Sequence, residues 1–360
     1  MRLLSAIDAI GPAWNHTSRI LIAPRNWRLA LKIGAVAFFA QVGGCNSSFS
    51  SPGRHLPSAP PALIAGIVAL AFLLASIALL IGLAFFYLSS RLQFVLFEVV
   101  LRSDTTLSPI WRRYASATWH WIGLKILYFL AAIICAAPIL VPLVIHFIRE
   151  MAPSFHGATP QDPVALFVAI LGFISAIFFI VVLIGIGYAL LYDFGLPSMA
   201  LESTSISDTV SRVWSLIRSE PGPVALYVLM RFLLAIGGSL AADSILVVGA
   251  LIAFMPFGGV GLIAWLSLRH AGLAGHVAMI AIWIVLGLIL LALVVLAAII
   301  LSGFVYTFLQ AYALYFLGGR YPLVGAYLEP FLAPPYPYPG YPGAGAPPPI
   351  PPLQPGPDTA

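Results

Sequence analysis

Apolar runs longer than a soluble helix needs dominate this chain, and they fix its class before any motif is considered. Residues 63–88, 124–148, 164–192 and 277–305 each exceed the roughly 20 apolar residues that cross about 30 Å of hydrocarbon. A fifth run, 224–257, is longer still and carries Arg231 and Asp243; a sixth, 29–44, is short and contains Lys32 and Gln41. In lipid a spanning segment must satisfy its own backbone hydrogen bonds, so runs of this length predict helices. Composition agrees: 61% of residues are hydrophobic and 8% charged, with a mean hydropathy of +1.03, whereas a soluble domain is about 25% charged. Too few polar side chains exist to cover a water-facing surface. A soluble enzyme, a disordered regulator and a disulfide scaffold are excluded. The predicted fold class is all-α, a polytopic transmembrane helical bundle of about six spans with amphipathic interfacial helices.

Charge placement orients the bundle. Alternation from a cytoplasmic N-terminus puts 14 of the 17 basic residues in inner segments or at the adjoining span ends, leaving Arg54, Arg149 and Arg269 outside. Basic residues accumulate on the cytoplasmic side of membrane proteins, so both termini are expected there. Residues 1–28 then form a cytoplasmic N-terminal segment, 29–323 the transmembrane domain and 324–360 a proline-rich, disordered tail. A competing seven-span path has 245–268 crossing separately, but Pro256-Phe257-Gly258-Gly259 reads as the end of a helix. Met1–Trp14 has no apolar core and is not read as a secretory signal. Val42-Gly43-Gly44-Cys45 is read as a small-residue helix end, and Cys135 as a small buried thiol.

Two segments between spans have helical periodicity and a basic face. Ser108-Pro109 signals a helix start, after which Ile110, Trp111, Tyr114, Ala117 and Trp121 share a face while Arg112 and Arg113 lie elsewhere. Ser205-Ile206-Ser207-Asp208 reads as a capping box. Val210, Val213, Trp214 and Ile217 follow as a stripe, with Arg212 and Arg218 opposite. Such helices lie in the membrane interface with arginines at the headgroups. Trp111, Arg112, Arg113, Trp214, Arg212 and Arg218 are therefore candidate contacts to lipid or to a partner; the competing reading has both helices packing on the bundle as elbows.

Ionisable groups inside hydrocarbon are costly and are the first places to seek function. Arg231 and Asp243 are the intramembrane candidates. At 1.5 Å per residue they stand roughly 18 Å apart on one helix and cannot pair, and Asp243 is expected near the outer interface. Lys125 is expected to snorkel at the start of its span. The seven histidines are scattered, and no zinc-protease spacing, phosphate loop or nucleophile elbow occurs. No catalytic, cofactor or metal residue is nominated, and no basic module suggests nucleic acid. Residues 334–357 hold 12 prolines in 24 positions, a composition that cannot bury enough apolar surface to fold; the tail is expected to act as a tether, with docking of a protein partner as its sharper use.

Several stretches together resemble a family of uncharacterised prokaryotic multi-pass membrane proteins. They are Asn26-Trp27-Arg28-Leu29-Ala30-Leu31-Lys32 running into Ala37-Phe38-Phe39-Ala40, and Tyr87-Leu88-Ser89-Ser90-Arg91 with Phe94 and Phe97. Trp111-Arg112-Arg113-Tyr114, Pro221-Gly222 with Leu226-Tyr227, and Ala311–Gly318 complete the set. The resemblance covers roughly residues 20–330 and extends distantly to the membrane domain found beside some glycerophosphodiester phosphodiesterases. It implies architecture and no enzyme activity, since no phosphodiesterase domain is attached. The expected role is non-enzymatic, membrane-organising or partner-binding, in a prokaryotic cytoplasmic membrane. A lipid or small-solute transporter is the alternative, favoured by the two similar halves.

Overall fold

The computed structural model describes residues 3–21, 27–42, 61–102, 107–155, 163–269 and 272–332, all of it helix or helix-linking turn. In chain order the helices are α1 (Ile10–Leu21), α2 (Trp27–Val42), α3 (Pro61–Arg102), α4 (Leu107–Arg113), α5 (Ala115–Phe155) and α6 (Pro163–Leu190). A π-helical turn, Leu191–Gly195, leads into α7 (Leu196–Glu202). Then come α8 (Ile206–Ser219), α9 (Pro221–Leu268), α10 (Gly272–Gly318) and α11 (Pro322–Leu332). The tail expected over 324–360 begins instead as helix: residues 324–332 belong to α11, with Val324 and Leu328 buried against the bundle; its remainder, Cys45, Arg54, His55, His156 and His270 lie outside the described residues.

Five helical segments, those of α3, α5, α6 with α7, α9 and α10, are long and apolar enough to cross a membrane. Each is packed at one end and open at the other. In α3 the exposed leucines and phenylalanines end near Phe85, and Ser89–Leu101 is mostly buried; in α10 the buried stretch is Thr307–Gly318. The most apolar windows of these helices are only 0–6% buried inside the protein. This polarity has a physical cause. Water drives apolar surface together at the packed end, whereas lipid tails are as apolar as leucine and give spanning helices no such drive. Trp121, Tyr227, Tyr312, Phe94, Phe97 and Phe316 are fully buried there.

α10 joins the ends of the chain. It pairs with α9 along a hairpin and also packs on α1 and α2. Gly303 makes the closest approach: a Cβ there would run into the backbone of Gly34 on α2. α2 has 16 residues, about 24 Å at the helical rise, and Ala40 near its end accepts hydrogen bonds from Ser89 and Gln93 of α3.

Four more expectations change. Pro256-Phe257-Gly258-Gly259 does not end a helix, since α9 continues through it to Leu268; neighbouring groups in a membrane let proline persist inside helices. The first Trp-bearing helix is not one unit: the chain turns at Tyr114, and Trp121 belongs to the buried start of α5. Cys135 is exposed on α5 rather than buried, because α5 has few neighbours at that level. The N-terminal segment contains a helix, α1, that buries Ala13, His16, Thr17 and Ile20. The capping box holds: the Asp208 amide donates to Ser205 Oγ at 3.2 Å, and that hydroxyl donates to the Asp208 carboxylate at 2.6 Å.

Candidate functional site

The π turn positions the most unusual group in the molecule. Pro197 has no N–H to return to a preceding carbonyl, and the turn before it widens from α to π, a form found mostly as single turns at functional sites. Gly195 lets α8 lie close, since a Cβ there would meet the Thr209 methyl at 3.0 Å. The result is an Asp193 with no solvent exposure. Its Oδ2 takes the Arg231 guanidinium at 2.5 Å and the Tyr227 hydroxyl at 2.7 Å. Tyr227 stacks on Tyr312, ring centroids 5.3 Å apart, and on Phe316. Arg231 thus bridges α9 to the π turn, so an arginine placed by sequence inside a span has its acid on another helix.

A chain of polar side chains continues across the bundle. Tyr192 lies beside Trp121, Trp121 Nε1 donates to Gln93 Oε1 at 2.7 Å, and Gln93 donates onward to Ala40. Lys125, expected to snorkel, is 3% exposed. It turns inward, donates to Ser90 Oγ at 2.9 Å and sits over the Phe86 and Trp121 rings. Among the described residues it has no carboxylate partner. Tyr192 Oη, Asp193 Oδ1 and both amide atoms of Gln310 are buried without a hydrogen bond in the described structure, which marks this layer as a place for ordered water.

A second cluster centres on Glu98, whose carboxylate is 2% exposed and pairs with Arg102 and Arg113, both at 2.9 Å. It also accepts a short hydrogen bond from Tyr114. Burial, together with that carboxylate, pushes the Tyr114 phenol well above its usual range. Arg91 fixes α4 by donating to the Trp111 carbonyl and lying over its ring, 4.3 Å from the centroid. Trp111 and Arg113 are thereby engaged with the protein. On α8, Val213 is buried, Trp214 is 64% exposed, Arg212 pairs with Glu202 at 2.5 Å and Arg218 is exposed, as Arg112 is on α4. The bond to Glu202 holds the Arg212 guanidinium above its usual value.

Two hollows adjoin these groups. One, about 250 Å³, lies between α6 and α9, walled by Gly185, Ile186, Ala189 and Phe232 and reaching Arg231. Another, about 380 Å³, lies under α8 and brings together Ser198, Ser215, Arg212, Arg320 and Tyr321. Arg320 is tied to Glu220 at 2.8 Å and to the carbonyls of Leu4 and Phe316. No group of three or more His, Cys, Asp or Glu stands ready to hold a metal ion among the described residues.

Residues 4–326 match the sequence model of a family of unknown function, DUF7544. The chain belongs to that family. No curated protein and no solved structure matches it. The DUF7544 match takes in α1 through the first half of α11, so it covers the packed end as well as the spans. Residues singled out from sequence are divided by the structure. Arg231 joins a cluster, while Asp243 stands apart from it on α9. Asp193, Tyr227, Glu98 and the inward turn of Lys125 were not foreseen. The signal for Asp193 was slight: an acid one residue past a run of 29 apolar-rich positions, in a chain with a lone arginine inside a later span.

Proposed function

We propose that this integral membrane protein has a non-enzymatic role, organising the membrane or holding a protein partner at the cytoplasmic face of a prokaryotic plasma membrane. The observation that carries the reading is the concentration of polar and aromatic groups at one end of otherwise lipid-facing helices. Exposed Trp14, Trp119 and Trp214 stand at that end, where amphipathic rings favour the headgroup level. The basic residues of α4 and α8 support placing it in the cytoplasm. A sixth crossing rests on charge placement: five helices are long and apolar enough to cross, and Ala40 near the end of α2 is bonded to Ser89 and Gln93 at the packed end of α3. The relationship to the membrane domain beside glycerophosphodiester phosphodiesterases belongs to the same reading. Its supporting residues, Tyr87–Arg91, Trp111–Tyr114 and Ala311–Gly318, are those that build the packed end.

Extraction in native-membrane nanodiscs followed by mass spectrometry tests this. A stoichiometric protein partner, or one lipid class enriched and lost on Trp214→Ala, is the expected result. Solute flux through liposomes containing the protein alone would contradict it. That outcome would favour transport of lipid or a small solute, for which the lipid-side hollow ending at Arg231 is the supporting observation.

A further inference from the structure

Asp243 has no hydrogen bond or ion pair among the described residues, and its depth makes that consequential. α9 runs 25 residues beyond it to Leu268, about 38 Å of helix, so it is not at the outer interface as its sequence context suggested. Nor is it at the inner one. α9 lies antiparallel to α6 and α10: Arg231 shares a hollow with Gly185 and Ala189, and Gly238 lies against Val305. Between the level of Arg231 and that of Asp243 stand Phe178, Leu183, Leu233 and Ile236, each 41–66% exposed, a surface suited to hydrocarbon. The carboxylate therefore stands inside the bilayer, roughly 18 Å along α9 from Arg231.

It does not stand on a featureless face. Asp243 lines a groove of about 450 Å³ between α9 and α10, whose walls are Phe232, Ile236, Val305 and Leu309. Ser239, Ser302 and Tyr306 line the same groove. Ser239 donates to the Ile236 carbonyl at 3.0 Å, leaving its oxygen as an acceptor. An apolar hollow of this size with a few converging polar groups is what small-molecule sites look like. Here the polar residues are one aspartate, two serines and a tyrosine, and no basic side chain lines the groove. A carboxylate that stays ionised in hydrocarbon is costly unless a cation compensates it, and the walls suit an apolar body.

We propose that the α9–α10 groove binds a protonated hydrophobic amine that reaches it through the bilayer, the ammonium on Asp243 and the apolar part against Phe232 and Leu309. This goes beyond the membrane-organising role, since binding requires no transport and no partner. The test uses the full chain in nanodiscs and equilibrium dialysis of N,N-dimethyl-1-naphthylmethylamine, followed by its fluorescence, with empty nanodiscs as background and uncharged 1-methylnaphthalene as the paired probe. Saturable retention of the amine near one per chain is expected, weakened at least tenfold by Asp243→Asn. The uncharged probe should not distinguish the two proteins. Ser302→Phe, which fills the groove and leaves the carboxylate, should also abolish retention, and serves where Asp243→Asn fails to assemble. Equal retention by Asp243→Asn, or no excess over empty nanodiscs, overturns the proposal. So does a co-purifying protein whose basic residue cross-links to position 243, which would make the groove a helix-docking site.

Discussion

At the scale of single residues, the structure separates charges that are paired from charges that are only buried. Asp193 and Arg231 are paired, and removing one partner of a buried pair strands the other at about 3–5 kcal/mol. Arg231→Met should therefore lower the melting temperature in detergent sharply, and adding Asp193→Asn should restore much of it; a double variant as unstable as the single would refute the pairing. Lys125 is the opposite case. With one neutral acceptor, two aromatic faces and no carboxylate among the described residues, its ammonium recovers only part of its desolvation, and Lys125→Met should leave stability unchanged or raise it by about 1–3 kcal/mol. Loss of folded protein in that variant would show that the amine has a partner. His16 carries a pH prediction. Burial lowers its pKa from 6.5, with Nε2 and Val100 O at 2.7 Å and Nδ1 and the Tyr315 hydroxyl at 3.3 Å. The unfolded chain thus binds the proton more readily, and this group's contribution is full above about pH 6.5 and declines as pH falls below it. His16→Gln should flatten the stability profile between pH 5 and 7.5, as read by thermal melts; an unchanged slope would assign the pH dependence elsewhere. None of these partners could be read from spacing, because each lies on a different helix from the residue it serves.

At the scale of elements, local signals were legible and tertiary ones were not. The capping box of α8 is closed by residues three apart, so sequence shows it in full. α1 carries Gly11-Pro12 in its first turn, where proline is tolerated, and packing against α10 holds the rest. The first Trp helix failed as a unit because its stripe continues unbroken across the turn at Tyr114, which burial of that ring and its bond to Glu98 impose. Helix ends at the packed side were also illegible, since α3 runs on to Arg102 well past its apolar run. Close approach of α2 and α10 makes a directional prediction. A Cβ at Gly303 meets the Gly34 backbone, whereas one at Gly34 meets the Ile299 carbonyl at 3.1 Å. Gly303→Ala should cost about 1–3 kcal/mol through overpacking, and Gly34→Ala less. Equal melting temperatures for the two variants would mean that α2 does not dock this way.

At the scale of the whole molecule, the account rests on an asymmetry: helices nearly unburied through the membrane and tightly packed at one end. Fold class followed from run length alone, because hydrocarbon thickness and backbone hydrogen bonding leave few options. Function did not, because the spans carry no motif and the polar groups assemble only when five helices meet. The candidate site was half legible: Arg231 and Asp243 stood out as charges in apolar sequence, but their different fates depend on which helices lie beside them. The most direct test of the account is which face of the membrane the packed end occupies. In a background with Cys45 and Cys135 replaced by Ala, cysteines at Ser215 on α8 and Leu273 at the start of α10 would be labelled in intact cells with an impermeant maleimide. Leu273→Cys is expected to react from outside, and Ser215→Cys only after the membrane is opened. Labelling of Ser215→Cys in intact cells, with Leu273→Cys protected, would contradict it.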